Sequence, residues 1–552
     1  MRRILFWMAL PLGMALMTAA ALSKDDYFEM SKQLEIMQSA FRELNLFYVD
    51  ELAPGELMET GIKAMLADLD PYTRYFPESR MEDARFMQTG EYGGVGASIE
   101  RRAGQTVVVN LLEGEPADEA GIRLGDVLVE VDGRDVQDLG TEQIGDLLQG
   151  ATGTKVSVGM RRPGQTTPLA FDLTRRKVKV PDVPYQGMIS DRTGYLALNS
   201  FTKTAHANVR KALLNLTDSL GAENVVIDLR GNGGGLLREA IAIVNLFVGK
   251  GQEVVSTKGK RPDWNKSYKT RGSALRPNLP LAILVDGKSA SASEIVAGTL
   301  QDLDRAVVVG EESFGKGLVQ QTKKLAYGTR MKVTVAKYYT PSGRCVQRLD
   351  YSHRDGEGEV HAMADSALKT FATRNGREVL EGRGVLPDVE VAAPELSYVL
   401  AGLLEKHVLF DFAVEKRDAL VAPDNASEFG LTGEVWREFV EHVSSLDEVP
   451  YASGTFKAFA ALEETAQKER LAQDNVKALD LLKAGLQADV PADLSRYEAS
   501  IRKALEQELV VHLYNATGRY QHGLMVDPVS LRAVALLESN EAARILEGPL
   551  NP

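Results

Sequence analysis

The spacing of apolar residues changes three times along the chain, and those changes limit the fold more than any single motif. From about Asp25 to Met87 apolar residues recur three and four apart, as in "YFEMSKQLEIMQSAFRELNLFYV" and "ELMETGIKAMLADL", which is a helical period. From about Gly90 to Val178 the apolar runs become short, β-branched and bounded by glycine turns: "GVGASIE", "TVVVNLLEG", "GDVLVEVDG" and "TKVSVGMRR". Two short helical stretches interrupt them, around "EPADEAG" and "GTEQIGDLLQG". From about Pro181 to Val391 buried-type strands ("GYLALNSF", "AENVVIDLRGNGGG", "PLAILVDG", "RAVVVG") alternate with helices ("HANVRKALLNLTDSL", "LLREAIAIVNLFV", "SASEIVAGTLQDLD"). That is the pattern of an α/β core. Beyond about Pro394 the period is helical again. A chain of 552 residues exceeds what one hydrophobic core organises. The expected fold class is therefore multidomain α+β, divided at 1–22, 23–89, 90–178, 179–393 and 394–552.

The first segment has its own chemistry. Arg2 and Arg3 precede the apolar stretch "ILFWMALPLGMALMTAAAL", and Ala19-Ala20-Ala21 fits an A-x-A cleavage site. Residues 1–22 are thus expected to be a signal peptide cut after about Ala21, with an uncleaved membrane tether as the alternative. Either way the protein is expected to be exported, periplasmic or secreted, where ATP is scarce. The formal net charge of −13 argues against nucleic acid as a partner, because such binding needs basic surface to displace counterions. The single cysteine, Cys345, excludes an intrachain disulfide and a cysteine-based metal cluster. No cofactor or metal is expected.

The candidate chemistry gathers around one lysine, Lys316, in "GEESFGKGLVQQ". A phosphate loop needs G-x-x-x-x-G-K-[ST] and a helix starting at the lysine, but Gly317 follows and the next residues read as strands. An S-x-x-K nucleophile motif from Ser313 lacks its S-D-N and K-T-G companions. The third reading pairs Lys316 with a serine in "LAILVDGKSASASEIVAGTLQD", where Ser289, Ser291 and Ser293 crowd the turn from a strand into a helix. Ser291 and Glu294 also form an S-x-x-E capping box, which explains that serine without any catalysis. Small neighbours nevertheless let a substrate backbone approach, and a helix N-terminus supplies N–H groups for an oxyanion.

The 90–178 region, with its small sheet and two helices, resembles a PDZ domain, and "YGGVGASI" resembles that family's carboxylate-binding loop. The resemblance implies that Gly93, Gly94, Val95 and Gly96 form a nest for a terminal carboxylate, and that Ile144, Leu147 and Leu148 line the pocket for the last side chain. "SASASEI", "FGKGLVQ" and "DLRGNGGG" behind such a domain, with "LDPYTRYF", "YYTPSGRCVQ" and "GVLPDVEV", resemble the carboxyl-terminal processing peptidases, also called tail-specific serine proteases. The likeness spans about Asp25 to Val391. It implies an α/β protease core with an inserted PDZ domain between a helical N-terminal region and a helical C-terminal extension. It further implies Ser291 as nucleophile, Lys316 as general base, Gln320 as the residue orienting that lysine, and the backbone N–H groups of Ala292 and Gly235 as oxyanion hole. One position departs from the family pattern: Gln149 in "LLQG" stands where many members carry an arginine thought to link peptide binding to catalysis.

A lysine acts as a base only when neutral, and its ordinary pKa of about 10.4 leaves it charged at pH 7. Bringing it near neutrality costs about 4 kcal/mol, which apolar surroundings such as "RAVVVG" can supply. The expected function is a serine endopeptidase cleaving exported proteins with free, apolar C-termini. The competing reading is a catalytically inactive PDZ scaffold, against which stand Ser291, Lys316 and Gln320. A histidine-dependent PDZ protease lacks both G-N-S-G-G and a suitably placed histidine. A homo-oligomer or an adaptor protein, engaged through the helical regions, is left open as a further partner.

Overall fold

The computed structural model describes residues 24–548 apart from 79–84, 87, 357, 365, 367 and 393–394, so the signal segment expected at 1–22 lies outside the described residues. The chain divides into two compact units, one comprising residues 1–75 with 322–325 and 330–333, the other comprising the rest. In the first, α1 (Lys24–Phe47) and α2 (Pro54–Ala67) realise the helical period. Pro54 starts α2, where its fixed φ and missing N–H cost nothing. Phe28, Leu34, Ile36 and Phe47 of α1 are exposed. Among the described residues no helix is long and apolar enough to cross a membrane.

In the second unit the glycine-bounded runs form β1 (Glu91–Gly94), β2 (Ala97–Arg102), β3 (Gln105–Leu111), β4 (Val127–Val131), β5 (Lys155–Arg161), β6 (Leu169–Thr174) and β7 (Arg176–Lys179). Between them lie α3 (Pro116–Glu119) and α4 (Thr141–Leu148). Strands pair in the order β2-β3-β4-β5-β6, which leaves β2 on an edge, while β1 pairs antiparallel with β7. The run read as one strand, "GVGASIE", is broken: Gly96 adopts φ 80° and turns the chain between β1 and β2. A side chain there would strike Glu115 Cβ at 2.4 Å, so only glycine fits.

The protease-type core is a six-stranded sheet in the order β8 (Tyr185–Met188), β9 (Thr193–Ala197), β10 (Asn224–Asp228), β12 (Leu281–Val285), β13 (Val307–Gly310) and β16 (Val389–Glu390). All its pairings are parallel except β8 with β9. Every residue of β9, β10, β12 and β13 is buried, which explains why these strands read as unbroken apolar runs. Successive side chains point to opposite faces. Leu196, Val225, Ile227, Ile283 and Val308 meet α5 (Ala205–Leu214), α6 (Leu237–Val244) and α7 (Ala292–Asp302). Beyond the sheet run β11 (Glu253–Lys258), β14 (Leu318–Lys324) and β15 (Arg330–Tyr339).

The opposite face, with Tyr195, Ala197, Val226, Ala282, Leu284, Val307 and Val309, is covered from the end of the chain. There α8 (Tyr398–Glu405), α9 (Val408–Lys416), α10 (Gly433–Ser444) and α11 (Glu498–Leu524) pack around Phe412, Phe439, Leu505 and Leu509. Then α12 (Pro528–Glu538) and α13 (Glu541–Glu547) lay Ala533, Leu536, Leu537 and Ala542 on the sheet. The helical extension is thus the second layer of the core.

Leu536→Ala tests this layer. Leu536 is wholly buried against the sheet, and its truncation is expected to destabilise the protein by about 2–5 kcal/mol in a denaturant titration. A change below about 0.5 kcal/mol would mean that the extension does not cover the core.

Candidate active site

The strand-to-helix turn after β12 separates the three serines by geometry. Ser289 and Ser293 are fully buried. Ser289 Oγ donates to Leu229 O at 2.8 Å and Ser293 Oγ donates to Asn232 O at 2.8 Å. Ser291 alone is partly exposed. It sits at φ 57°, ψ −109°, a conformation that costs a residue with a Cβ of the order of 1–3 kcal/mol. Such strain on a sharp strand-to-helix turn is how a serine hydroxyl is raised clear of its neighbours. The carbonyl of Ser291 accepts from the buried Tyr338 hydroxyl at 3.1 Å.

Glu294 is the residue whose role the sequence understated. It does accept from Ser291 N, at 2.7 Å to Oε2, as the capping box requires. Its carboxylate is also fully buried and takes three donors from the lysine loop: Lys316 N at 2.9 Å, Gly315 N at 2.7 Å and Ser313 Oγ at 2.7 Å. Burial raises the Glu294 carboxyl above the usual range, while these four hydrogen bonds favour its charged form. One carboxylate therefore fastens the Ser291 turn to the Lys316 loop. Ser313 is buried, spent on Glu294 and on the N–H of Val385, so the S-x-x-K reading has no exposed nucleophile.

Lys316 is half-buried between two glycines that cannot change. Gly315 has φ 85°, and a Cβ there would lie 2.5 Å from Arg348 Cβ; one on Gly317 would lie 2.7 Å from Gln347 N. Gly317 O accepts from Tyr338 N, and Gly317 N donates to the Gln347 side chain, so "YYTPSGRCVQ" frames the lysine loop. The residues after Gly317 enter β14, not a helix, which removes the phosphate-loop reading. Gln320 lies in β14, and its Nε2 donates to Thr334 Oγ1 at 3.3 Å. Cys345 is buried, and burial pushes its thiol up.

The glycine turn after β10 packs directly on the Ser291 turn. Asn232 O accepts from Ala290 N at 3.0 Å, and a Cβ on Gly234 would lie 2.9 Å from both Ala292 N and Ser291 Cβ. Gly234 N is committed to Asn232 Oδ1 at 2.8 Å. Among the described residues no protein acceptor takes the N–H of Gly235 or of Ala292. Gly235, at φ 155°, is bridged to Phe201.

In the PDZ-like region a cleft opens between β2 and α4, lined by Tyr92, Gly94, Val95, Ala97 and Ile99 on one side, by Gly145, Leu148 and Gln149 on the other, and by Phe86. Of the residues expected to hold a peptide end, Gly94, Val95 and Leu148 line this cleft. Ile144 and Leu147 do not line the cleft: Ile144 is fully buried in the small domain's core, and Leu147 packs against that core. The residues one position on, Gly145 and Leu148, share a face because i and i+3 coincide on a helix, and the C-cap Gln149 continues the lining. Gly93 and Gly96 shape the loop without lining the cleft; a Cβ on Gly93 would meet Gly150 O at 2.1 Å.

Three sequence families match this chain: peptidase family S41 over residues 192–351, a PDZ domain over 107–162, and the C-terminal helical domain of a probable PDZ-protease over 399–537. A carboxy-terminal-processing protease of Bartonella bacilliformis is 34% identical over 321 residues, covering 58% of this chain and 73% of that one. A carboxyl-terminal-processing protease of Synechocystis is 36% identical over 296 residues, covering 52% and 68%. A solved structure described as a photosystem II D1 C-terminal processing protease shares 29% identity, with a TM-score of 0.36 over 64% of this chain and 92% of that one.

Glu294→Gln tests the carboxylate that joins the two loops. An amide keeps the size but turns one acceptor into a donor facing N–H groups, and leaves buried donors unpaired. Stability is expected to fall by about 2–4 kcal/mol, read from thermal or denaturant unfolding. Wild-type stability in that variant would rule out the linkage.

Proposed function

Because the chain belongs to peptidase family S41, among the carboxy-terminal-processing serine proteases, we propose that it hydrolyses peptide bonds with Ser291 as nucleophile and Lys316 as general base. The observation that carries this reading is the Glu294 carboxylate, which accepts the backbone N–H of both residues. It fixes two segments far apart in sequence relative to each other, as a nucleophile and its base require. Lys316 takes the Ser291 proton as the hydroxyl oxygen attacks the substrate carbonyl, and returns it to the leaving amine. Gln320, on the strand that follows the lysine loop, orients the amine without adding a negative charge that would hold it protonated. The developing oxyanion is received by the N–H groups of Ala292 and Gly235, neither of which has a protein acceptor among the described residues.

Substrates on this reading are protein chains with a free apolar C-terminus. The edge strand β2 accepts the tail as an added strand, the turn at Gly94–Gly96 takes the terminal carboxylate, and the apolar cleft beside Leu148 takes the last side chain. The Arg2–Ala21 segment supports export as the setting in which such tails are met.

Ser291→Ala and Lys316→Ala are each expected to lower peptidase turnover by at least a thousandfold while far-ultraviolet circular dichroism and peptide binding stay as in wild type. Near-wild-type turnover in either variant would refute the pair. Activity is expected to rise as pH increases from neutral, since the base works in its neutral form; a profile falling over that range contradicts a lysine base. For tail recognition, amidating the C-terminus of a peptide ending in an apolar residue removes only the charge. Binding is expected to weaken by about 1–3 kcal/mol in titration calorimetry. Equal affinity of the acid and amide forms would end the tail-recognition model.

A further inference from the structure

The turn that carries Gly235 is anchored by the helical extension. Asp228, the last residue of β10, accepts from Arg230 N at 2.8 Å through Oδ1 and from Tyr195 Oη at 2.6 Å through Oδ2. It also holds the Arg230 guanidinium, with Nη2 at 2.6 Å from Oδ2. The same Nη2 donates at 2.6 Å to Asp527 Oδ2 and contacts Ser530 Oγ at 3.3 Å. Asp527 lies 297 residues away, at the start of α12. Arg230 is thus clamped between a carboxylate of the core and one of the extension. Burial opposes the guanidinium charge, and the Asp228 and Asp527 carboxylates more than offset it. Burial likewise pushes the Asp527 carboxyl up, yet Arg230 holds it below the usual range.

Asp527 is also the N-cap of α12, and the distances separate the two roles. Its backbone cap bonds, from Val529 N and Ser530 N, are both 3.3 Å, long for N–H donors, while Ser530 Oγ donates to the same Oδ2 at 2.5 Å. Its bond to Arg230 is 2.6 Å, the short end of charge-assisted geometry. From Arg230 to the glycines the backbone has little slack. Gly231 N is held by the Asp286 carboxylate, Asn232 Nδ2 by Leu198 O at 2.6 Å, and Asn232 O by Ala290 N and Ser293 Oγ. A displacement of Arg230 therefore passes into the turn that packs on Ser291.

We infer that Asp527 of the C-terminal helical extension is a positioning residue for hydrolysis, holding Arg230 and through it the glycine turn that presents the Gly235 N–H. This rests on the Ser291 reading of the site. Asp527 touches neither substrate nor reacting atoms; it acts through Arg230.

The test uses the full-length protein with Asp527→Asn and Asp527→Ser. Asparagine and serine cap helices about as well as aspartate, so both variants keep a cap for α12 while losing the carboxylate that Arg230 and Ser530 Oγ share. The expected result is a fall in kcat of tenfold or more on a cleaved peptide, with KM and the peptide's affinity within twofold of wild type. Covalent labelling of Ser291 by a fluorophosphonate, which also needs the oxyanion donors, is expected to slow in parallel. A purely capping role predicts no such split. A kcat within twofold of wild type in either folded variant overturns the inference. So does loss of the folded state in both, since the carboxylate would then be structural. Ser291→Ala in the same assay separates the two readings: turnover there refutes the nucleophile assignment, whereas an inactive Ser291→Ala beside a fully active Asp527→Asn refutes only the role of Asp527.

Discussion

A buried carboxylate with four donors is the contact on which the site's geometry turns. Glu294 has no solvent to stabilise its charge, and leaving such a group unpaired would cost several kcal/mol. The hydrogen bonds from Ser291, Ser313, Gly315 and Lys316 offset that cost together or not at all. The Ser291 turn tolerates its positive φ because helix α7 is held at Glu294 from one side and Tyr338 grips the Ser291 carbonyl from the other. Tyr338 N also meets Gly317 O, so the frame closes on itself: the Ser291 turn, the lysine loop and the start of the "YYTPSGRCVQ" segment share bonds pairwise. The glycines at 315 and 317 belong to this constraint, since a side chain at either would push the lysine loop off its support.

The central sheet shows why the α/β core cannot be cut from the helices that follow it. Alternate residues of β9, β10, β12 and β13 face opposite ways, and both sets are apolar. Helices α5, α6 and α7 cover one set. The other would be a bare apolar face without α12 and α13, a surface that a soluble protein does not leave open. Segments defined by hydrophobic period thus mark where each pattern begins, and packing decides which segments fold as one body. Their cooperation follows from the two-sided burial of parallel strands.

Much of this arrangement was legible in the sequence. The strands "VVID", "LAILV" and "VVVG" announced burial on both faces, and the alternation of Ser289, Ser291 and Ser293 with alanines marked the turn. What the sequence could not carry were contacts between distant segments. S-x-x-E at Ser291 and Glu294 looks the same whether the glutamate only caps its helix or also binds a second loop, and only the third dimension brings Gly315 and Lys316 to it. The pair Arg230 and Asp527 is silent for the same reason: each reads as a polar residue beside a turn. In the small domain, Ile144 and Leu147 were natural choices for a pocket because apolar residues line pockets. The helix spends Ile144 on the domain core and turns Gly145 and Leu148 to the cleft, followed by its C-cap Gln149. Apolar character marks burial, and it does not say on which side.

The extension also supports the small domain. Phe410 of α9 sits in that domain's core and stacks edge-on against His512 of α11, while Arg417 donates to Leu124 O at 2.5 Å. Val511 of α11 packs against the same core. Leu524, at the end of α11, and Leu537 of α12 are 13 positions apart, and both belong to the apolar cluster on the sheet. The helical segment that shoulders the small domain thus continues into the one whose N-cap, Asp527, grips Arg230. Gln149, the position that departs from the expected family pattern, is uncharged and lines the cleft itself. A charge exposed at that position would contribute at most about 1 kcal/mol through any ion pair. The apolar and hydrogen-bonded seam through α9, α11 and α12 joins the small domain and the core without a charge at position 149.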